Sequence, residues 1–353
     1  MPHIITLKER RGKPGYVYYP LQLSLVPKPS PTHKQLLIRI QAAALNHRDL
    51  FIRQHLYPDI SFKAPLLCDG AGIVEEMGPD CTSDVLGQNV ILTPCRGWKT
   101  NPHGPEDWSN FSTIGGVGPD HTLGTAQTYV LVNEDEVEVS PPHLSAAESA
   151  CLPAAGLTAW RALVVKSGNA EPGRNLLITG IGGGVALQIL QFAVAMGSNV
   201  YVTSSSQDKI DKAKQLGALG GVIYKDEDWN KQLEMMLPSS RPYIDAVIDG
   251  AGGDIVVRSV PILKPGGVIS SYGMTIAPVM DWPMQAVLKN IELKGSTLGS
   301  RAEFTNMVNF VKEKQIKPVI SKIVKGLENL EAIEGLFQEL KTSKQFGKLV
   351  VEV

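Results

Sequence analysis

The sequence predicts an α/β protein in which a doubly wound parallel sheet accompanies a second, β-rich domain. The chain has 353 residues, more than one hydrophobic core usually organises, and this favours two domains. Up to about residue 150, short strand-like segments alternate with Gly and Pro turns. Beyond about residue 155, short apolar strands alternate with helix-length segments, a pattern typical of a parallel sheet covered by helices on both faces.

The N-terminal region predicts strands at residues 36–40 and 71–76, with turns at residues 78–80 and 87–89. Residues 96–124 are rich in Gly, Pro, Asn and Trp and have little periodicity. We interpret this segment as a long loop that shapes a pocket, because compact domains seldom keep such loops without a function.

The middle of the chain repeats a strand followed by a helix. Glycines at positions 197 and 217 stop the first two helices, and the segments are strands at residues 176–179, 200–203, 222–224, 246–248 and 268–270 and helices at residues 185–196 and 207–216. Helices at residues 303–312 and 327–340 and a strand at residues 348–353 follow. We expect these last segments to return to the N-terminal domain.

Composition excludes several classes of function. Lys plus Arg number 34 against 35 Asp plus Glu, so the chain lacks the clustered positive charge of nucleic-acid or anionic-membrane partners, and a small-molecule substrate is expected. No apolar run reaches the roughly 18 residues that span a bilayer, and no signal peptide is visible, which favours a cytoplasmic location. The four cysteines form no C-x-x-C pair, which argues against disulfides and a structural zinc site.

A glycine-rich turn between a predicted strand and a helix is the strongest motif. It reads Gly180-Ile181-Gly182-Gly183-Gly184-Val185-Ala186. Backbone N–H groups at such a turn can face the pyrophosphate of a dinucleotide, which side chains would keep away. The alternative is a tight turn that needs positive φ at one or two glycines, and four glycines in five positions exceed that need.

The residues after the next strand favour NADPH over NADH. NAD-selective sites place an acid there to bind the ribose 2′-hydroxyl, whereas this strand ends in Thr203-Ser204-Ser205-Ser206, with Lys209 one turn later. Hydroxyls and an ammonium can bind a 2′-phosphate that an acid would repel. Asp208 complicates this interpretation, since it can turn toward the ribose. Alternatively, the serines cap a helix and Lys209 is a solvated side chain.

Several longer segments resemble the medium-chain dehydrogenase/reductase superfamily, in particular its quinone-oxidoreductase-like and zinc-type alcohol dehydrogenase-like members that lack zinc ligands. The resemblance covers nearly the whole chain. Besides the glycine turn, its markers are Ala44-Leu45-Asn46-His47-Arg48-Asp49, Asp69-Gly70-Ala71-Gly72-Ile73-Val74, Ala155-Gly156-Leu157-Thr158-Ala159-Trp160, Asp249-Gly250-Ala251-Gly252-Gly253, Lys294-Gly295-Ser296 and Gly347-Lys348.

This resemblance implies a GroES-like catalytic domain from residues 1–155 and 296–353, into which a Rossmann dinucleotide-binding domain, residues 156–295, is inserted. It also implies a cleft between them and a homodimer formed through the Rossmann sheets. The glycine turn departs from the family pattern only in having Ala186 for the last Gly, a position that serves helix packing.

The resemblance adds three residues to the expected cofactor site. Thr158 is expected near the nicotinamide ribose, Tyr224 at the adenosine end, and Gly250 after a Rossmann strand. Alternatively, Thr158 is simply a helix-entry threonine and Tyr224 a core residue at the end of a strand.

The same resemblance places the catalytic zinc ligands at Asn46, Cys68 and Ala154, so at most one usable ligand remains. A catalytic zinc needs three protein ligands. Cys95 is the one cysteine in the segment that corresponds to the structural-zinc lobe. We therefore expect no metal, and we expect Asp69, an acid beside the metal in zinc enzymes, to stabilise its own turn.

Without a Lewis acid, an activated C=C bond or a quinone is the easier hydride acceptor, because conjugation delocalises the arriving charge. In the expected cleft, Asn46 can donate to a carbonyl oxygen, His47 can deliver a proton, and Asp49 can orient either. Tyr57 is expected to line the pocket. Alternatively, Asn46 and Asp49 cap a helix, His47 is a surface imidazole, and Tyr57 only packs.

Two other functions remain open at this point. One is an alcohol dehydrogenase or ketone reductase of the same fold. The other is a protein that binds NADPH for sensing or structure and has no turnover. The substrate depends on the shape of loops and does not follow from the sequence.

Overall fold

The two ends of the chain form one compact unit, and the middle of the chain forms another. The computed structural model describes residues 1–118, 120–277 and 279–353. The first unit comprises Met1–Ala155 and Ser300–Val353, and the second comprises Gly156–Gly299.

The strands and helices are numbered along the chain. The strands are β1 (His3–Leu7), β2 (Leu21–Leu25), β3 (Gln35–Ala44), β4 (Asp69–Met77), β5 (Asn89–Leu92), β6 (Cys95–Arg96), β7 (Ser112–Thr113), β8 (Tyr129–Asn133), β9 (Val137–Val139), β10 (Asn175–Ile178), β11 (Asn199–Ser204), β12 (Gly220–Ile223), β13 (Ile244–Asp249), β14 (Leu263–Ser271), β15 (Glu292–Gly295), β16 (Ile320–Lys325) and β17 (Lys348–Glu352). The helices are α1 (His47–Arg53), α2 (Ala146–Ser149), α3 (Pro153–Trp160), α4 (Gly184–Ala195), α5 (Gln207–Gln215), α6 (Trp229–Glu234), α7 (Ile255–Ser259), α8 (Met284–Leu288), α9 (Arg301–Lys314) and α10 (Leu330–Lys341). A π-helical segment, Arg161–Ser167, follows α3, and a 3₁₀ turn, Glu134–Glu136, precedes β9. None of the described helices has the length and apolar character that crossing a bilayer requires.

In the first unit, strands from both ends of the chain share one sheet, with the order β16-β17-β3-β4-β5-β9 and β8 also paired to β3. The C-terminal strand β17 runs antiparallel to β3, with Val350 opposite Ala44. The N–H of Leu45 also donates to the carbonyl of Leu349, at 2.9 Å. This register brings the start of β17 to the residues that follow β3.

The core of the first unit joins α1 and α10 to this sheet. Ile52, Leu336, Phe337 and Val351 are buried in one apolar cluster. Such burial, rather than helix propensity, supplies most of the stability of short helices such as α1.

Helix α9 begins earlier than its apolar periodicity predicts. The Ser300 hydroxyl accepts the N–H of Glu303 at 3.2 Å, and the Glu303 carboxylate accepts the N–H of Ser300 at 2.5 Å. This reciprocal capping satisfies N–H groups that the start of a helix leaves unbonded, so the helix begins at Arg301 rather than at Glu303.

The second unit contains a parallel sheet with the strand order β12-β11-β10-β13-β14-β15. If β10 is taken as the first strand, the order is 3-2-1-4-5-6, which is that of the doubly wound dinucleotide-binding fold. The strands are apolar because helices cover them, and every residue of β13 is buried. The predicted fold class of this region is confirmed.

Candidate functional site

The glycine-rich turn lies between β10 and α4 in the second unit. Gly180 has a φ of +63° and Gly182 a φ of +119°, backbone conformations that favour glycine. Gly183, with φ −74° and ψ 149°, is the N-cap of α4, and its conformation suits any residue. The tight turn of the alternative interpretation therefore exists, and its positive φ values account for glycine at positions 180 and 182. They do not account for glycine at position 183.

Hydrogen bonds attach this turn to the ends of neighbouring strands. The N–H of Gly180 donates to the Thr203 hydroxyl at 3.2 Å, and that of Ile181 donates to the Thr203 carbonyl at 2.8 Å. On the other side, the Thr179 hydroxyl donates to Asp249 at 2.6 Å and accepts the N–H of Gly250 at 3.2 Å. The turn is thus held at the carboxyl ends of β10, β11 and β13, where the strand order reverses and where open α/β sheets bind ligands.

The space beside the turn is open. A Cβ atom on Gly183 would meet only the Gly180 carbonyl oxygen, at 3.9 Å, and a Cβ on Gly180 would meet nothing within 4 Å. The first N–H groups of α4, at Gly184 and Val185, have no partner within the helix, and the glycine cap has no side chain to accept them. Amides exposed at the positive end of a helix dipole, in a space without side chains, fit a pyrophosphate.

The residues predicted for the 2′-phosphate lie around the end of β11. Ser204 is buried and its hydroxyl accepts the N–H of Ser206 at 3.2 Å, which is a local turn contact. Ser205 is exposed and Lys209 is half-buried on α5. Burial, together with the charge of Lys212, lowers the pKa of Lys209.

Asp208, the acid that complicated the NADPH prediction, forms an ion pair with Lys212 at 2.8 Å on the same helix. The N–H of Tyr224 donates to the Ser204 carbonyl at 3.0 Å, and the Tyr224 side chain is partly exposed. The structure therefore brings Ser204 and Tyr224 together, and their roles stay predictions.

Two other predicted cofactor residues have structural explanations of their own. A Cβ on Gly250 would come within 2.5 Å of the Tyr272 ring, so packing alone requires glycine there. Thr158 lies within α3 and is largely buried. Contact of either residue with a cofactor remains a prediction.

A buried lysine organises the predicted catalytic residues of the first unit. The Lys348 ammonium donates to the Leu45 carbonyl at 2.8 Å, to Asn46 Oδ1 at 2.7 Å and to Asp69 Oδ2 at 2.8 Å. Lys348 is 4% exposed and Asp69 is fully buried. Burial alone would lower the pKa of Lys348, but the Asp69 carboxylate outweighs it and the pKa is raised. We call Lys348, Asn46, Asp69 and Cys68 the lysine cluster.

Asp69 and Asn46 each make a further contact besides the bond to Lys348. The backbone N–H of Ala154 donates to Asp69 Oδ1 at 2.7 Å, which accords with the expected structural role of Asp69. The Asn46 side-chain nitrogen donates to the Cys68 sulfur at 3.6 Å. Burial, reinforced by the charge of Asp69, raises the pKa of the Cys68 thiol.

Asn46, His47 and Asp49 lie together at the start of α1, as predicted. The Asp49 carboxylate accepts the N–H of Asn46 at 2.7 Å, so Asp49 does stabilise the helix end. Burial raises the pKa of Asp49 to about 6, although the nearby Arg48 guanidinium opposes that shift. Burial and the positive charge of Lys348 lower the pKa of His47, so this imidazole is neutral near pH 7.

Tyr57 is tied to this region through Arg48. The Arg48 guanidinium lies 5.1 Å from the centre of the Tyr57 ring and donates to the Thr113 hydroxyl at 3.2 Å and to the Gly115 carbonyl at 3.0 Å. Arg48 is not among the residues predicted for the site. It links α1 to the segment of residues 96–124 that was predicted to shape a pocket.

Sequence reasoning also missed Lys348, apart from its place in the terminal family marker. One signal was available, since a lysine opens the otherwise apolar strand Lys348-Leu349-Val350-Val351 and lies where a buried core residue would be expected. A buried lysine needs a charged or polar partner.

The donor set of the lysine cluster does not fit a zinc ion. At the three expected ligand positions, Asn46 offers an amide, Ala154 a methyl group, and Cys68 a thiol that resists ionisation. The Lys348 ammonium already bonds to two of the surrounding oxygens and would repel a divalent cation. Within residues 1–118, 120–277 and 279–353, no three His, Cys, Asp or Glu side chains gather as metal ligands would.

Comparisons with known proteins agree with both units. Residues 184–313 match the family model described as zinc-binding dehydrogenase, and residues 32–142 match the alcohol dehydrogenase GroES-like domain. A zinc-type alcohol dehydrogenase-like protein from Leptosphaeria maculans is 60% identical over 358 residues, covering 100% of both chains. A zinc-type alcohol dehydrogenase-like protein from Schizosaccharomyces pombe is 31% identical, covering 90% of this chain and 91% of the relative. A crystal structure of NAD-dependent alcohol dehydrogenase superposes with a TM-score of 0.83 at 28% identity, covering 100% of both chains.

Proposed function

Because the chain belongs to the zinc-type alcohol dehydrogenase-like oxidoreductases of the medium-chain dehydrogenase/reductase superfamily, we propose that it transfers hydride from NADPH to an activated C=C bond or a quinone without zinc. The observation that carries this proposal is the Lys348 ammonium, which bonds to Asp69 and to Asn46, one of the three positions to which the family resemblance assigns the zinc ligands. A fixed ammonium cannot coordinate and polarise an alcohol oxygen as a Lewis acid does. Acceptors that delocalise their own negative charge therefore suit this site best.

The cofactor proposal rests on the second unit. The N-terminus of α4 offers amides to a pyrophosphate, and a bound NADPH would supply the hydride. Lys209 and the exposed Ser205 offer a charge and a hydroxyl to a 2′-phosphate, while Asp208 is engaged with Lys212. Some relatives are named NAD-dependent alcohol dehydrogenases, and that name describes those proteins.

The acceptor chemistry rests on Asn46 in the first unit. Hydride adds to the β-carbon of an enone or enoyl thioester, and the Asn46 side-chain nitrogen donates to the oxygen on which negative charge develops. A proton then adds to the α-carbon, which gives a saturated carbonyl product and NADP⁺. With a quinone, one hydride and one proton give the hydroquinone. One such preorganised donor is worth about 10²–10³ in kcat.

Alcohol oxidation or ketone reduction is the second candidate, and the names of the relatives favour it. One experiment separates the two. The purified full chain is mixed with NADPH and a panel of enones, enoyl thioesters, quinones and simple ketones, with and without a chelator, and its zinc content is measured.

We expect NADPH consumption with the conjugated acceptors, no effect of the chelator, and less than stoichiometric zinc. Loss of activity with the chelator, or stoichiometric zinc, would establish the alcohol dehydrogenase alternative. Tight NADPH binding without turnover on any acceptor would instead establish a binding protein that senses NADPH or uses it structurally.

A further inference from the structure

The side-chain amide of Asn46 can face its surroundings in two ways, with either its oxygen or its nitrogen outward. The amide oxygen Oδ1 accepts a hydrogen bond from Lys348 Nζ at 2.7 Å, and the nitrogen Nδ2 lies 3.6 Å from the Cys68 sulfur. The second Nδ2 hydrogen has no hydrogen-bond partner among the residues that the structure describes. Asn46 is half-buried, and this hydrogen is the donor that its side chain still has for a ligand.

Chemistry alone selects this orientation. An ammonium has three donors and no acceptor, so it can contact the amide oxygen and not the amide NH₂ group. Turning the amide over would place two donors against each other beside a buried charge. A charge-assisted hydrogen bond biases such an equilibrium by roughly ten- to a hundredfold.

The Lys348 ammonium is held in one position. Its three donors are all used, by the Leu45 carbonyl, Asn46 and Asp69. Its backbone is fixed in β17, where Lys348 lies opposite Ile320 of β16 and its N–H donates to the Val319 carbonyl at 2.8 Å. Asp69 is held in turn by the N–H of Ala154. The position of the ammonium is thus set by the sheet and not by the ligand.

We propose that Lys348 is a positioning residue that locks the Asn46 amide with its NH₂ group outward, so that the site accepts a carbonyl or quinone oxygen and disfavours a hydroxyl donor. The inference rests on the proposed function and deepens it by naming the substrate group. A carbonyl oxygen only accepts hydrogen bonds, so it can bond to the outward N–H of Asn46 and brings no donor that would be left unpaired. An alcohol also brings an O–H that finds no acceptor on this amide, and a polar group left unpaired costs affinity.

The test compares the binding of cyclohexanone and cyclohexanol by NMR titration, with the full chain alone and with saturating NADP⁺. In the wild type we expect cyclohexanone to bind about tenfold more tightly. The double variant Lys348→Met/Asp69→Asn removes both charges together, which avoids leaving a buried carboxylate unpaired, and frees the amide. We expect the preference to fall to within about twofold.

A second variant, Asn46→Asp, keeps the lysine and its ion pair but presents acceptors only. We expect it to reverse the preference toward the alcohol. The matched control is Lys325→Met/Glu352→Gln, which removes an exposed ion pair between β16 and the far end of β17 and should leave the ketone preference unchanged. Thermal unfolding of each variant confirms that it is folded.

Kinetics supply an independent readout. If Lys348 acts through Asn46, then Lys348→Met/Asp69→Asn lowers kcat for an enone while KM for NADPH is unchanged, and it has no further effect on kcat in an Asn46→Ala background. Additive losses would overturn the proposal, as would equal responses of the wild type to the two ligands or an unchanged ketone preference in the double variant. The binding assay needs no turnover, so a wild type that prefers the ketone but reduces no acceptor contradicts the proposed function alone.

Discussion

Lys209 is the residue on which the proposed preference for NADPH depends most directly. It is half-buried on α5, one turn beyond the serines that end β11. We expect Lys209→Glu to raise the dissociation constant for NADPH by about ten- to a hundredfold, because a charge-assisted bond becomes a repulsion. The dissociation constant for NADH should change little. Fluorescence titration with both cofactors measures this, with Lys214→Glu in the last turn of the same helix as the control. Equal losses for the two cofactors would rule out the 2′-phosphate interpretation.

The lowered pKa of His47 predicts the pH dependence of the reaction if this imidazole supplies the proton. Burial and Lys348 both disfavour the imidazolium, so the protonated form is populated only below the ordinary histidine pKa of 6.5. We expect kcat to rise as the pH falls through that lowered pKa, and His47→Gln to remove the rise. Stopped-flow measurement of the hydride step between about pH 5 and 8 tests this. A profile that is identical in the variant would assign the proton to another donor.

At the scale of single elements, the N-terminus of α4 gives the sharpest prediction. Gly183 has an ordinary backbone conformation, and a Cβ there meets only open space and one oxygen at 3.9 Å. We therefore expect Gly183→Val to fold with little change in Tm but to lose dinucleotide binding, because its side chain would occupy the place of the pyrophosphate. Gly335→Val on α10, where a Cβ meets nothing within 4 Å, is the control. Normal cofactor affinity in Gly183→Val would show that the phosphate site lies elsewhere.

A carboxylate holds residues 99–101, near the start of the segment that was predicted to shape a pocket. Glu106 accepts the N–H groups of Lys99, Thr100 and Asn101 at 2.7–3.0 Å, and these bonds, that of Thr100 foremost, lower its pKa to about 2. Because the pKa of Glu106 is lower in the folded protein, the stabilisation from these hydrogen bonds is complete above the ordinary pKa of 4.5. It is lost as the pH falls toward 2 and the carboxylate is protonated. We expect Glu106→Gln to speed hydrogen exchange of these three amides at neutral pH, with Glu313→Gln as the control. Unchanged exchange would mean that other contacts hold the segment.

These elements also show which features a sequence can predict. Strand β10, the glycine turn and helix α4 follow from local periodicity and from the chemistry of glycine, and all three were predicted close to their observed positions. Helix α9 begins before its predicted start, because the Ser300 and Glu303 side chains cap it and apolar spacing carries no information about capping. Local rules therefore locate elements well and their ends less well.

At the scale of the whole molecule, local sequence rules could not predict the lysine cluster. Lys348 and Asn46 are 302 positions apart, and only the pairing of β17 with β3 brings them together. The sequence predicted that Asn46, His47 and Asp49 would lie side by side, since they are neighbours on one turn. It contained no periodic signal for the cation that orients Asn46, because that contact depends on sheet register.

The family resemblance assigns the interface of the predicted homodimer to the sheet of the second unit. Strand β15 pairs with β14 on one side, and among the described residues no strand lies on its other side. Helix α8, just before it, exposes 69% of Met284 and 76% of Leu288. An open strand edge beside exposed apolar side chains favours pairing with a second copy about a two-fold axis.

We therefore expect the full chain to be a dimer in size-exclusion chromatography with light scattering, and Met284→Lys/Leu288→Lys to be a folded monomer, because two charges per subunit would have to be buried at the interface. Leu219→Lys is the matched control, since this leucine is also exposed but lies beside β12 at the opposite edge of the same sheet. A monomeric wild type, or a double variant that remains dimeric, would place the interface elsewhere or remove it. Cofactor affinity should survive in the monomer, because the glycine turn and the end of β11 belong to one unit of one chain.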